Sequence, residues 1–193
     1  MSQAPQRRKL LLHVCCAPCA TAPIERLRSR GRYEITAFFY NPNIYPRREY
    51  ELRLDQARRL CLSVGMELAI GPYEPDRFDA AVAGLEDEPE GGRRCRRCFE
   101  LRLTETARYA RLHGFEVFAA TLTVSPHKSA KLINELGAAA AGKEGLEFLA
   151  EDFKKRDGFR RSVELSREHD LYRQNYCGCR HSMRRSIGPG GAD

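Results

Sequence analysis

Apolar positions recur with two different periods along this sequence. Short runs rich in apolar, β-branched and aromatic residues predict buried strands, and longer runs with apolar residues every three or four positions predict helices. The predicted strands cover 9–14, 33–40, 66–70, 115–123 and 146–150. The predicted helices cover 22–30, 47–64, 76–85, 95–113 and 125–136, and the small residues of 138–145 predict a connection. This alternation predicts a three-layer, Rossmann-like α/β fold with a mostly parallel sheet.

The chain of 193 residues has the length of one domain. We expect residues 1–187 to form a single α/β domain. Within it, 154–178 combines helical and turn patterns and leads to the last cysteines of the chain. Residues 188–193 are rich in glycine and are expected to form a disordered tail.

Chemically active residues follow three of the predicted strands. Cys15, Cys16 and Cys19 come after the first strand, 41–43 follows the second, and 125–128 follows the fourth. In an open parallel sheet, ligands bind in the crevice outside the carboxyl ends of the strands. We therefore expect these three segments to meet at one edge of the sheet.

Composition and charge narrow the class of protein. Hydrophobic residues make up 42% of the chain, enough for a buried core, and 33 Lys+Arg against 26 Asp+Glu give a net charge of +7. No segment approaches the roughly 18 consecutive apolar residues of a membrane span, and the basic and leucine-rich start is too short for a signal peptide. We expect a soluble, cytoplasmic protein with no membrane partner, and the charge permits a polyanionic partner.

Seven of the eight cysteines fall in three groups. The cytoplasm is reducing, so clustered cysteines there are more often metal ligands or redox catalysts than structural disulfides. Thiolates suit zinc and, above all, iron–sulfur clusters. Seven ligands allow one fully ligated cluster with three further thiols, or a cluster with an open iron and a second, mononuclear metal. The groups are Cys15, Cys16 and Cys19; Cys95 and Cys98; and Cys177 and Cys179.

The eighth cysteine is not expected to be a ligand, and two other kinds of site are alternatives to an iron–sulfur centre. Cys61 lies on the apolar face of a predicted helix and is expected to be a buried small hydrophobe. A structural zinc site is one alternative, although Cys177 and Cys179 are closer in sequence than the usual zinc ligands. Thiol–disulfide chemistry is another, because Cys16 and Cys19 form a Cys-x-x-Cys motif between a strand and a helix. Neither a phosphate-binding glycine loop nor a nucleophile-elbow serine is present, which argues against kinase and hydrolase classes.

Basic and aromatic residues stand near the cysteines. The arginines can stabilise thiolates or neutralise nucleic-acid phosphates, and the tyrosines can stack on a base. His13 is expected to be a packed core residue, and His127 stands at a turn whose backbone N–H groups could bind a phosphate. The arginines are Arg93, Arg94, Arg96, Arg97, Arg173, Arg180, Arg184 and Arg185, and the tyrosines are Tyr40, Tyr45, Tyr172 and Tyr176.

Five segments, taken in order, resemble the cobalamin-independent epoxyqueuosine reductases. The resemblance runs from about Leu10 to Ser182 and includes every cysteine of the three groups. The segments are HVCCAPC from residue 13, FFYNPNI from 38, RCRRCF from 94, TLTVSPHK from 121 and YRQNYCGC from 172.

This resemblance implies an oxidoreductase of tRNA queuosine synthesis. Such an enzyme reduces epoxyqueuosine to queuosine at the wobble position of tRNAs with GUN anticodons, and it uses an iron–sulfur cluster and an external electron donor. The implied fold is related to the adenine-nucleotide α-hydrolase type. The alternation of strands and helices agrees with that fold independently.

The chemistry of the implied reaction explains why many thiolates are needed. Removing an epoxide oxygen to leave an alkene takes two electrons and two protons and releases water. We expect Cys15, Cys16, Cys95 and Cys98 to hold a [4Fe–4S] cluster. We expect Cys177 and Cys179 to act catalytically, either as a redox pair or as ligands, with Cys19, of an adjacent mononuclear iron.

Overall fold

The computed structural model describes residues 6–186, so the predicted tail at 188–193 lies outside the described residues. Five strands form one sheet in the order β3-β2-β1-β4-β5, and all neighbouring strands are parallel. The sheet lies between two layers of helices, so the predicted three-layer, Rossmann-like architecture is confirmed. The strands are β1 Arg8–His13, β2 Tyr33–Phe39, β3 Glu67–Ile70, β4 Val117–Ala120 and β5 Glu147–Phe148.

Seven helices and one 3-10 turn accompany the sheet in the described part of the chain. The order of the elements follows the predicted alternation, with a short last helix added after the final cysteine. The helices are α1 Ala17–Ser29, α2 Arg47–Ser63, α3 Pro75–Val82, α4 Arg93–Leu112, α5 Ala130–Glu144, α6 Gly158–Glu168 and α7 Arg180–Ser186, and the 3-10 turn is Thr121–Val124. Within the described residues, no helix has both the length and the apolar character needed to cross a membrane.

The central strand β1 is buried on both of its faces. Leu10 and Leu12 pack with α1 and α2 on one side of the sheet, and Leu11 packs with α4 and α5 on the other. Successive side chains of a strand point to opposite faces. A continuous leucine run is therefore what a strand between two helical layers requires.

Several predicted boundaries were wrong, among them the start of α5, which lies at Ala130 and not at residue 125. Helix α1 begins at Ala17, five residues earlier than predicted, because Pro18 lies in the first turn of the helix, where a proline costs no hydrogen bond. The fourth strand ends at Ala120, and Thr121–Val124 forms a 3-10 turn. Helix α5 continues through 138–141 to Glu144, because alanine is the strongest helix former, and Gly145 then ends it with φ of 67°.

Hydrogen bonds bring the loops after three strands to one edge of the sheet, as predicted. The Asn41 side chain donates from Nδ2 to the Val14 carbonyl over 2.9 Å, which joins the loops after β2 and β1. The Cys15 backbone N–H donates to Thr121 Oγ1 over 3.3 Å, which joins the loops after β1 and β4. The strand order reverses between β1 and β4, and such a switch point is where open α/β sheets form their binding crevice.

Candidate metal centre

Three cysteine sulfurs meet at the start of α1. The Sγ atoms of Cys15, Cys16 and Cys19 all lie within 4.8 Å of one another, and those of Cys15 and Cys16 are 4.0 Å apart. Cys15 and Cys16 are buried and Cys19 is half-buried. The early start of α1 produces this arrangement, because it places Cys19 on the first helical turn, facing the end of β1. All three are free thiols.

The other four clustered cysteines form a second group. Cys95 and Cys98 lie near the start of α4, whereas Cys177 and Cys179 lie in the loop before α7. Cys98 and Cys179 are buried in a small apolar cluster, and Cys177 packs against it. All four line one cavity of about 170 Å³. The structure thus places the seven candidate residues in a group of three and a group of four, and one member of each group, Cys19 and Cys177, lines a shared groove.

Each group contains one sulfur that favours the thiolate form. Hydrogen bonds from the thiols of Cys16 and Cys19 hold the pKa of Cys15 well below its ordinary value. A hydrogen bond from Cys179 does the same for the pKa of Cys177, helped by nearby Lys128. The pKa of a donating thiol changes in the opposite direction. The hydrogen bond to Cys15 raises the pKa of Cys16 to about 11. Both groups therefore have a thiolate ready to bind a metal and neighbours that release protons when they bind it.

Lys128 lies between the two groups. It is half-buried and borders both the cavity of the four cysteines and the open groove beside the three. Although burial opposes its charge, the charges of the Cys15 and Cys177 thiolates raise the pKa of Lys128. Its ammonium group is therefore held in the protonated form beside both sulfur groups.

Arg102 is a buried cation that the sequence analysis missed. Its Nη2 donates to Asn41 Oδ1 over 2.5 Å, and its Nη1 lies 4.0 Å from Cys98 Sγ. Arg102 is one helical turn after Cys98 on α4, and this i,i+4 spacing was the available signal in the sequence. It compensates for negative charge that the thiolates bring into the interior.

Arg53 is a second functional residue that sequence patterns did not reveal. It lies on α2, and its side chain is only 2% exposed. The guanidinium pairs with Glu49 over 2.7 Å and donates to the carbonyl oxygens of Tyr176 and Cys177. It also lies over the Tyr176 ring at 5.1 Å from the centroid. Arg53 thus fixes the loop that carries the last two cysteines.

The predicted arginines divide into different roles. Arg94 is buried and donates to the backbone carbonyls of Glu86 and Glu88, so it holds the acidic loop before α4. Arg96 is exposed and makes no ion pair within residues 6–186. The remaining described candidates bond to protein groups: Arg93 to Glu88, Arg97 to Glu100, Arg173 to Ser166 and Arg180 to Asp79.

The aromatic and histidine candidates are also distinguished by burial. Tyr40 is fully buried and cannot stack on a base, whereas Tyr45 and Tyr172 are exposed. His13 is a packed core residue, as predicted, and its Nε2 lies 3.0 Å from the Tyr40 carbonyl. Burial lowers the pKa of His13 to about 3, so its ring is neutral. Cys61 is buried on α2, as expected of a small hydrophobe.

An open groove of about 410 Å³ leads from the surface to the sulfurs. Cys19 and Cys177 both line it, together with 124–128, 173–176 and Phe159. The groove therefore gives a molecule in solution access to both groups of cysteines.

A family model described as epoxyqueuosine reductase QueH matches residues 10–185. The chain belongs to this family. A QueH from Streptococcus pyogenes serotype M1 is 42% identical over 179 residues, covering 90% of this chain and 69% of the relative. A QueH from Thermotoga maritima is 37% identical over 177 residues, covering 90% of each protein. The resemblance to the epoxyqueuosine reductases that the five sequence segments indicate is thus confirmed.

A solved structure supports the fold independently. The U34-tRNA thiolase NcsA from Methanococcus maripaludis, solved with its [4Fe-4S] cluster, superimposes with a TM-score of 0.58. The match covers 92% of this chain and 62% of the thiolase, at 13% sequence identity. At that identity the similarity concerns the fold, and it places this QueH family member among Rossmann-like α/β proteins.

Proposed function

We propose that this chain is the enzyme of the last step of queuosine synthesis. It reduces the cyclopentane epoxide of epoxyqueuosine, at the wobble position of tRNAs with GUN anticodons, to the alkene of queuosine. The observation that carries this proposal is the placement of seven free cysteines, from three distant segments, in two neighbouring groups: three sulfurs within 4.8 Å of one another and four cysteines that line one cavity. Membership of the QueH family supports the same reaction.

The donor set fits an iron–sulfur centre of the cobalamin-independent type. Seven soft sulfur ligands are available, three of them within 4.8 Å of one another, and Lys128 and Arg102 offset their charge. Iron–sulfur clusters are held by such thiolates. We propose a [4Fe–4S] cluster with an adjacent mononuclear iron, and the chemistry this centre supplies is the delivery of single electrons from an external donor.

The division of the cysteines between these irons stays a prediction. The expected division assigns Cys15, Cys16, Cys95 and Cys98 to the cluster and leaves Cys19 with Cys177 and Cys179. In space, however, Cys19 lies with Cys15 and Cys16. Single serine substitutions distinguish the two divisions: Cys19→Ser keeps the full cluster under the expected division and loses the same iron as Cys15→Ser under the spatial one.

The residues of the chain have defined tasks in the reaction. Reduction of the epoxide consumes two electrons and two protons, breaks both carbon–oxygen bonds and releases the oxygen as water. The protonated Lys128 ammonium lies between the sulfur groups, where it can donate a hydrogen bond to an oxygen that gains negative charge. The acidic loop held by Arg94 and the loop held by Arg53 enclose the cavity beside it.

Binding of tRNA is proposed to use shape and phosphate contacts. The modified nucleoside leaves the anticodon loop and reaches the inner cavity through the open groove beside Cys19 and Cys177. A protein that has a net charge of +7 and acts on tRNA is expected to work in the cytoplasm.

Anaerobic purification followed by a visible spectrum, iron and sulfide analysis tests the cofactor. We expect a brown protein with iron and acid-labile sulfide. Incubation with epoxyqueuosine-containing tRNA and dithionite, followed by mass spectrometry of the nucleosides, tests the reaction. A colourless protein with stoichiometric zinc would instead indicate a zinc-stabilised tRNA-binding module, and a metal-free protein with a reducible disulfide would indicate a thiol oxidoreductase.

A further inference from the structure

A phenylalanine is exposed at the wall of the groove that leads to the cysteines. Phe159 lies on the first turn of α6 and is 39% exposed. It lines the groove together with Cys19 and Cys177. The lining of the groove combines apolar residues with polar ones, among them His127 and Asn175. A flat apolar ring in a groove that also offers polar side chains is an arrangement suited to a planar, polar-edged ligand such as a nucleobase.

The turn before Phe159 has an unusual backbone. Arg156 and Asp157 have φ of 53° and 58°, in the left-handed region that side chains rarely adopt. Gly158 follows, and a Cβ there would lie 1.8 Å from the Phe153 carbonyl oxygen. The backbone is therefore strained at Arg156 and Asp157, and the absence of a Cβ at Gly158 lets the chain pass close to Phe153 as it enters α6. Such strain is typical of segments that position functional residues.

Contacts to three other elements hold this turn in place. The Phe153 N–H donates to Thr123 Oγ1 over 3.2 Å. Arg26 on α1 donates to the Lys155 carbonyl over 2.8 Å. Lys154 Nζ donates to the Lys128 carbonyl over 3.3 Å, which connects the turn to the loop of the site. Phe159 is thus presented by a backbone that is fixed relative to the cysteines.

The same turn carries two positive charges without acidic partners in the described part of the chain. Lys155 and Arg156 are exposed, and neither makes an ion pair within residues 6–186. Arg93, Arg97 and Arg180 near the site are paired with carboxylates, whereas Lys155 and Arg156 share with Arg96 the absence of such a partner in the described residues. Free cations beside an exposed aromatic ring complement an unpaired nucleic-acid strand, which offers phosphates and base faces together.

We propose that Phe159 is the stacking platform for an unpaired base of the anticodon loop, next to the modified nucleotide, and that Lys155 and Arg156 contact the adjoining phosphates. This inference rests on the proposed function, because it takes tRNA as the substrate. It assigns the groove to the RNA and leaves the inner cavity to the reacting group. The ring supplies affinity and orientation, and the two cations supply the salt-dependent part of binding.

Binding of a fluorescein-labelled RNA hairpin, with the sequence of a GUN anticodon arm, tests the platform. We expect Phe159→Ala to weaken binding about tenfold, the effect of losing one base–aromatic stack. Phe159→Trp should bind like the original chain, whereas Phe159→Leu should bind like the alanine variant. Leu62→Ala is the matched control, because Leu62 is 84% exposed on α2 and outside the groove.

Three further measurements separate the possible outcomes. The double variant Lys155→Gln/Arg156→Gln should lower the slope of log affinity against log salt by about one to two, and Phe159→Ala should leave that slope unchanged. In turnover assays Phe159→Ala should raise KM and keep kcat. Unchanged binding by Phe159→Ala, or full binding by Phe159→Leu, would overturn the inference while leaving the proposed function intact. Failure of the original chain to bind the hairpin or the tRNA would contradict both.

Discussion

Arg53 donates from Nη1 to the carbonyl oxygen of Cys177 over 3.1 Å. The two residues lie 124 positions apart, so this bond connects α2 directly to the last cysteine group. A second bond runs from Nη2 to the Tyr176 carbonyl over 3.2 Å. Because the guanidinium is planar and buried, the two bonds fix both the position and the tilt of the loop.

Replacing Arg53 should release the loop. In Arg53→Met, the two carbonyls and the Glu49 carboxylate lose their buried partner. Removing one member of a buried ion pair costs about 3 kcal/mol of unfolding free energy. We expect that loss in urea unfolding of the metal-free chain, and we expect less iron per chain after reconstitution.

Arg59→Met is the control for that substitution, since Arg59 is exposed on the same helix. It should change neither unfolding nor iron content. Equal iron content in the Arg53 and Arg59 variants would show that the loop does not need the guanidinium.

Gly178 should tolerate no side chain. Its φ is 106°, and a Cβ there would lie 3.0 Å from both Arg53 Nη1 and Ile44 Cγ1. Gly178→Ala is therefore expected to destabilise the chain by about 1–3 kcal/mol and to displace Cys177 and Cys179. Urea unfolding and the rate of thiol alkylation at these two cysteines measure both effects.

Gly142→Ala is a control that is expected to change stability in the opposite direction. Gly142 lies inside α5, and a Cβ at this position would meet no atom within 4 Å. Alanine there should stabilise the helix by roughly 1 kcal/mol. Destabilisation by both substitutions would mean that the cost at Gly178 is not specific to its loop.

Cys61 should be dispensable for metal binding and should make stability depend on alkaline pH. Burial raises the pKa of its thiol to about 11, from an ordinary value of 9.0. The folded state therefore keeps a proton that the unfolded state releases, so stability falls as pH rises from 9 towards 11. Cys61→Ala should lose less stability than the original chain over that interval, with unchanged iron content. Iron loss on this substitution would contradict the assignment of seven ligands.

The salt dependence of tRNA binding should distinguish arginines that contact RNA from arginines that support the fold. Arg96 is exposed and without an ion pair in the described part of the chain, so Arg96→Gln should lower the salt slope of tRNA binding by about one. Arg94 is buried against backbone carbonyls. Arg94→Gln should lower the midpoint of thermal unfolding and leave the slope unchanged. If Arg94→Gln changed the salt slope of tRNA binding and Arg96→Gln did not, Arg94 would be the RNA contact and Arg96 would not.

Much of the fold was predictable because local patterns encode it. The run of Leu10–Leu12 is typical of a strand that is buried on both sides, and the carboxyl end of such a strand locates the crevice. Boundaries were less predictable. Small residues at 138–141 suit a loop by size but a helix by backbone preference, and the helix is what forms.

The sequence by itself determined the fold class, the seven cysteines and the family they indicate, because spacing and residue type are local properties. Only the tertiary structure decided which sulfurs are neighbours, that Tyr40 is buried, and that Arg53 and Arg102 support the site. The physical reason is that a contact between distant segments depends on how helices pack on the sheet. No pattern within either segment carries that information.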